Sequence, residues 1–420
     1  MLFNIFLFLV SLYTVFPRYI SIGSINALNL LSLLIFIMSW GFKRRTSKKR
    51  LRFFLKHPIF YWCSLIYVPL AYAFAGNSIE FFANLLNSLL LSFSICRVIN
   101  TKEKVNILID RIIIAAAIIG LFGIIECITR YNVINNFRSD PYIEVRNGIY
   151  RISTTFDHPL VYANYLGMIL VLLVYRINTA INKKKRRSFI YIYILEFINL
   201  LFTVSRSSII IVIALQILIF YCVHTRAENI SKKNKNLLKL ILIPLIVISA
   251  FAITTLSDYS DYSIGTIFQE FFSGGITNVR ALGDRFILYS LVWAATKGNR
   301  IWGNGIEALL NYQRSYYYVK NSIEVEYLNT FFRFGFAGLT VEIMGFINLF
   351  FVFYNKSSKN NKKETDYCGY LVFLILGYCM QLFAVTRQSE LRLFYVLISS
   401  GLCYRYIRDN DAAKNISEFN

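Results

Sequence analysis

Histidine is almost missing from this chain: there are three, His57, His158 and His224, too few and too scattered for a His-rich metal centre. The seven cysteines (63, 96, 127, 222, 368, 379 and 403) include no C-x-x-C pair and lie in or at the ends of apolar runs. Neither a disulfide framework nor a zinc site is expected, and they read as packing residues. Acid is scarce, with 23 Asp and Glu against 45 Lys and Arg. The opening "MLFNIFLFLVSLYTVF" lacks a basic leader and a small-residue cleavage site, so it reads as a first membrane helix rather than a cleaved signal. No polar stretch marks a second, soluble domain.

What is present is oil. The 420 residues are 56% hydrophobic with a mean hydropathy of +0.51, arranged in apolar runs separated by short polar breaks. That pattern predicts a polytopic helical membrane protein; a transmembrane barrel would show segments of about 10 residues with alternating polarity. Twelve spans are expected near 2–17, 24–42, 59–76, 80–96, 107–128, 160–177, 188–204, 208–223, 238–255, 327–353, 368–386 and 392–406. Residues 1–420 then form one all-α integral membrane domain, with two long loops at 129–158 and 256–326.

The charges orient it. The inter-span segment "KRRTSKKRLRFFLK" holds 8 Lys and Arg, and its alternates hold 3, 6, 5, 4 and 3, which makes 29 on one side. The opposite side, apart from its largest loop, holds seven: Arg18, Arg130, Arg138, Arg146, Arg151, Arg206 and Arg387. Lysine and arginine in short loops mark the cytoplasm, so both termini are expected inside and both long loops outside. The net charge of +22 then reflects topology and anionic cytoplasmic lipid, with no nucleic-acid partner.

All seven of these outward basic residues, the largest loop left out, are arginine. A guanidinium grips phosphate with a planar fork, whereas lysine is a hydrated point charge, so the bias suggests a diphosphate at the outer surface. The stretch "FTVSRSSIIIVIAL" shows the logic. From Phe189 to Cys222 a single helix at about 1.5 Å per residue would be roughly 51 Å long, against a bilayer core of about 30 Å. Two helices turning at "SRSS" fit, and they put Arg206 at a membrane surface. A lone arginine at a helix end is also an ordinary snorkelling anchor, "WGNGI" is an ordinary turn, and His158 before Pro159 suits a turn as well. Arg111, Glu126, Glu196, Arg333 and Glu342 fall in or near spans, where they would pair inside the bundle.

Four stretches in order carry a resemblance: "RISTTFDHPLVYANYLG", "TVSRSS", "GDRFILYSLVWAATKGNRIWGNGI" and "EVEYLNTFFRFGFAGL". Together they resemble the motifs of the O-antigen ligase and polymerase (Wzy-type) superfamily, over about residues 146 to 340. The resemblance implies a GT-C-like glycosyltransferase at the outer face of the cytoplasmic membrane, acting on undecaprenyl-diphosphate-linked oligosaccharide. Arg151, Arg206 and Arg285 match the diphosphate-gripping arginines, with Arg146, Arg280, Asp284 and Glu326 as secondary candidates. Glu324 stands three residues before the "YL" pair, where ligases carry a catalytic histidine. That departure favours a polymerase over a ligase.

The residue types suit metal-independent chemistry. Fixed arginines stabilise a departing diphosphate, and a carboxylate takes the acceptor's proton. No metal and no cofactor is expected. Besides the lipid-linked glycan and membrane lipids, a chain-length regulator and a flippase are the implied partners. A ligase, a flippase for the same lipid-linked sugar, and a passive scaffold are the competing readings. Against the flippase stand the lack of a visible internal repeat and the size of the 256–326 loop.

Overall fold

The computed structural model describes residues 1–17, 20–22, 25–42, 48–74, 79–137, 145–146, 149–226, 280–305, 308–315, 318–320, 323, 325–354, 366–383 and 391–419. Helices dominate them: α1 (Leu2–Val15), α2 (Ala27–Trp40), α3 (Lys48–Lys56), α4 (Ile59–Phe74), α5 (Ile79–Val98), α6 (Lys102–Thr129), α7 (Pro159–Thr179), α8 (Lys183–Phe202) and α9 (Arg206–Arg226). After a gap follow α10 (Arg280–Ala295), α11 (Glu326–Phe353), α12 (Tyr367–Gln381) and α13 (Leu391–Phe419). Each expected span falls on one of these helices except 238–255, which lies outside the described residues. Three helices, α6, α7 and α11, are long and apolar enough to cross a membrane by length and composition. Three short antiparallel hairpins complete the description: β1–β2 (Ser21–Ile22, Ile25–Asn26), β3–β4 (Val145–Arg146, Ile149–Tyr150) and β5–β6 (Tyr312–Ser315, Tyr318–Lys320).

The bundle is built around α7. Its sequence is apolar on every face, and a helix of that kind is stable only when surrounded; every residue from Val161 to Ile177 is buried. Its neighbours are α6, α8, α9 and α12. Gly167 admits two of them at once, since a methyl there would lie 2.5 Å from Gln381 Nε2 on α12 and 3.1 Å from Val212 on α9. Outside the core the helices show apolar side chains. Ile114, Ile118, Leu121, Phe122 and Ile125 of α6 and Leu30, Leu33, Leu34 and Ile37 of α2 are exposed, a surface that suits lipid rather than water.

Capping residues set the helix starts. His158 takes the N-cap of α7, its Nδ1 accepting from Leu160 N at 3.0 Å, and Pro159 occupies the first turn, where its missing N–H costs nothing. Thr101 and Asn182 cap α6 and α8 in the same way. At the far end of α7, Arg176 forks onto Asp110 of α6, Nε to Oδ1 at 2.6 Å and Nη2 to Oδ2 at 3.0 Å.

One helix is broken. At Gly335 of α11 the backbone leaves the helical region (φ 64°, ψ −161°). Carbonyls and amides freed in this way among packed apolar helices need partners, and the segment after α10 supplies them. Asn304 N donates to Phe332 O at 2.9 Å and Gly305 N to Arg333 O at 3.0 Å; Phe336 N donates to Arg300 O at 2.8 Å and Ala337 N to Ile301 O at 3.0 Å. The "WGNGI" stretch is therefore a strut docked into the break, which is more than the turn its composition suggests. Trp293 of α10 stacks on Phe331 beside it at 5.9 Å, and the Arg300 guanidinium lies 4.0 Å from the Trp293 ring centroid.

A side chain at 335 would be strained by the positive φ and would overlap the Ile301 carbonyl. Gly335→Ala is expected to cost at least about 1–3 kcal/mol. Thermal unfolding in detergent micelles should show a clearly lowered midpoint, while Gly369→Ala, where an added methyl meets open space, leaves it unchanged.

Candidate functional site

The helix ends that gather beside the N-terminus of α7 form the site. Gly120 and Gly123 of α6 pack against Glu196 and Asn199 of α8, so α6 and α8 finish at the same level. The α12 helix runs antiparallel to α7, because Asn178 bonds Tyr370 at one end (2.8 Å) and Gln381 meets Gly167 toward the other. The amide of Glu326 at the head of α11 donates to Leu382 O at the foot of α12, at 3.0 Å.

Glu126 organises this end. It sits one turn below the end of α6, 4% exposed, and accepts from four donors: Thr154 N (2.7 Å), Ser153 N (3.2 Å), Tyr150 OH (3.0 Å) and Asn132 Nδ2 (3.2 Å). Asn132 also reaches Thr154 O at 2.9 Å. A non-helical strand of chain, residues 150 to 154, is thus held inside the protein by one carboxylate. Burial, and then the neighbouring Glu126, push the Tyr150 phenol above its ordinary range, which keeps it a donor.

Backbone strain collects in the same place. Arg130, Thr154 and Val204 are the non-glycine residues with positive φ among those described, at 52°, 52° and 50°. They end α6, precede α7 and join α8 to α9. For a β-branched valine this conformation is a genuine outlier, and such strain persists only where surroundings enforce it, most often at functional sites.

Arg151 lies between these features. It is 3% exposed, and its Nε donates to Thr203 O at 2.8 Å, while Ile152 N reaches Phe202 O at 3.3 Å. The loop before α7 is thereby stitched to the α8–α9 tip. That tip continues through Ser205, whose Oγ bonds Ser208 Oγ at 2.9 Å, to Arg206, the first residue of α9. Two of the three expected diphosphate arginines are consequently adjacent in the fold. The third, Arg285, stands on α10 with Arg280 and Asp284; α10 packs on α11, and no described contact joins it to Arg151. Arg146 contributes to β3. Glu326 is buried in the first turn of α11. Glu324 lies outside the described residues.

Sequence reasoning missed the part played by Glu126, Asn132 and Tyr150. The available signal was the acid itself, since a carboxylate in an apolar run always needs an account. It also missed Arg392, which is buried at the head of α13 and donates to the Phe16 carbonyl at the end of α1. Among the described residues no group of three or more His, Cys, Asp or Glu is placed to hold a metal ion. Compared with protein-family models and with curated proteins, the sequence returns no match.

Replacing Glu126 by glutamine keeps the shape but turns one acceptor oxygen into a donor facing other donors. A buried mismatch of this kind costs about 1–3 kcal/mol. Glu126→Gln should therefore lower the unfolding midpoint in micelles, whereas Glu103→Gln at the exposed start of α6 should not; equal midpoints for both would remove Glu126 from its organising role.

Proposed function

We propose that the chain is a membrane-embedded glycosyltransferase of the polysaccharide-polymerase type, with about twelve spans in a GT-C-like arrangement and both termini in the cytoplasm. It transfers a growing glycan from undecaprenyl diphosphate onto a new lipid-linked repeat unit at the outer face of the cytoplasmic membrane. The observation that carries this reading is the stitch between Arg151 and the Thr203 carbonyl, which sets a buried guanidinium beside the helix that begins with Arg206. A snorkelling anchor keeps its head in water; Arg151 does not. The 21-residue α9 adds the positive end of its dipole and its first free amides to the same spot, an arrangement suited to phosphate.

In the proposed reaction the acceptor hydroxyl oxygen attacks the anomeric carbon of the donor glycan. The bond from that carbon to the diphosphate breaks, and the diphosphate departs with the electron pair. Arg151, Arg206 and Arg285 neutralise the charge that develops there, with Arg146 and Arg280 in support. Glu324 takes the hydroxyl proton, and Glu326 and Asp284 are the next candidates for that base. No cofactor is required for this balance. The four ordered motifs support the reading, and the glutamate at the ligase-histidine position favours polymerase over ligase.

Two measurements test it. Arg206→Lys keeps the charge and loses the fork, so polymer should fall nearly as far as in Arg206→Ala at normal membrane abundance; wild-type polymer in the lysine variant would reduce Arg206 to an anchor. Glu324→Gln should cost about 100- to 10,000-fold in rate, leaving surface glycan of single repeat units. Long lipid-linked chains with a bare surface would instead identify a ligase, and normal ladders in both pools would exclude Glu324 as the base.

A further inference from the structure

The stretch that reads from sequence as a long outer loop contains a helix with no face made for water. Between Arg285 and Lys297 run eleven residues, "FILYSLVWAAT", without a charge. A helix that is apolar all round is stable in water only when it is surrounded. In α10 one narrow stripe is covered. Leu288, Val292 and Thr296, four residues apart, are buried, and the first two share an apolar cluster with Val325, Leu328, Phe331 and Phe332 at the head of α11. On either side of that stripe Ile287, Tyr289, Leu291 and Trp293 stay exposed. In the strut that follows so do Ile301 and Trp302, the latter at 73%.

The neighbours of this surface say what covers it. Trp293 meets Phe336 of α11 edge-on, with ring centroids 6.3 Å apart. Phe336 opens a line of exposed apolar side chains that continues along one face of α11 through Ile343, Ile347 and Phe351, and α11 is long and apolar enough to cross a membrane. The flank of α10 is therefore an extension of the exposed side of α11. Its composition fits the membrane surface: Tyr289, Trp293 and Trp302 stand with Lys297 and Arg300, and amphipathic rings and long cations of this kind gather where acyl chains give way to headgroups. The backbone pairing of residues 300, 301, 304 and 305 with the break in α11 fastens the strut to that helix.

We infer that α10 and residues 301–302 of the strut lie in the lipid at the membrane surface, with phospholipid acyl chains against Ile287, Leu291, Trp293 and Trp302. The part of 256–326 that adjoins α11 is then a membrane element and not a loop in water. On the reading of the preceding subsection, this holds the charged start of α10, with Arg280, Asp284 and Arg285, at the lipid surface, where a lipid-borne diphosphate stands. Placement and glycosyl transfer are measured separately, so either can fail alone.

The full chain in phosphatidylcholine vesicles, with reagent on both faces, is treated with a charged maleimide, and peptide mass spectrometry reads each cysteine separately. Ile287→Cys, Leu291→Cys and Trp302→Cys should react at least about tenfold more slowly than Lys184→Cys at the exposed start of α8, because an apolar setting withholds the reactive thiolate. A second measurement separates lipid from protein as the cover. With Trp40, the other exposed tryptophan, replaced by phenylalanine, acyl-brominated phosphatidylcholine should still quench the remaining fluorescence, and adding Trp302→Phe should shrink the quenched component. Labelling at 287, 291 and 302 as fast as at 184 would put α10 in water. Slow labelling without bromine quenching would put a second copy of the chain against it. Either result overturns the inference.

Discussion

The carboxylate of Glu126 is the constraint on which the end of the bundle beside the start of α7 depends. Irregular backbone within a bundle of apolar helices has no water to satisfy it, so each amide must find a protein acceptor. Residues 153 and 154 find theirs in Glu126, and Tyr150 and Asn132 converge on the same two oxygens. The consequence travels outward in two steps. Holding Ser153 and Thr154 fixes Arg151 two residues earlier, and Arg151 in turn grips the Thr203 carbonyl. The strained Val204 follows immediately, and then the head of α9. A side chain on α6 thus determines where a residue on α9 begins, although the two helices are not neighbours in sequence.

The broken helix α11 obeys the same rule with a different partner. There the backbone groups released at Gly335 pair with the backbone of residues 300, 301, 304 and 305. The loop answers the break group for group, and two glycines with positive φ, Gly303 and Gly335, make the approach possible by having no side chain to collide. Carboxylate and strut are alternative solutions to one requirement. A carboxylate gathers donors only, which suits the amides before α7; a strut offers both donors and acceptors, which a severed helix needs.

How much of this was legible in the sequence follows from the range of each signal. Apolar runs have a period and a length, so the helices are readable one at a time, and α8 and α9 separate at "SRSS", where the expected turn was placed. The His158-Pro159 pair reads locally as a turn, and the structure shows it as the cap and first residue of α7. Contacts across the chain leave no such local trace. The link from Arg151 to Thr203 spans 52 residues and that from Glu126 to Thr154 spans 28, and nothing in either neighbourhood names its partner. The docking of "WGNGI" into α11 was hidden for the same reason. A glycine pair looks like a turn until the second helix, with its own glycine, is set beside it.

Glu126 and Glu196 make the limit of residue-type reasoning concrete. Both are glutamates in apolar helices, both are buried, and by composition alone they are the same observation. The difference is that α6 ends within a turn of Glu126, where loop amides are available, while α8 continues past Glu196 and keeps its own amides for itself. Position along the helix therefore decides which carboxyl becomes a scaffold and which is left without a hydrogen-bond partner. A carboxyl that gathers four donors ties its loop to the helix end, whereas Glu196, inside α8 with neither oxygen bonded, ties down nothing.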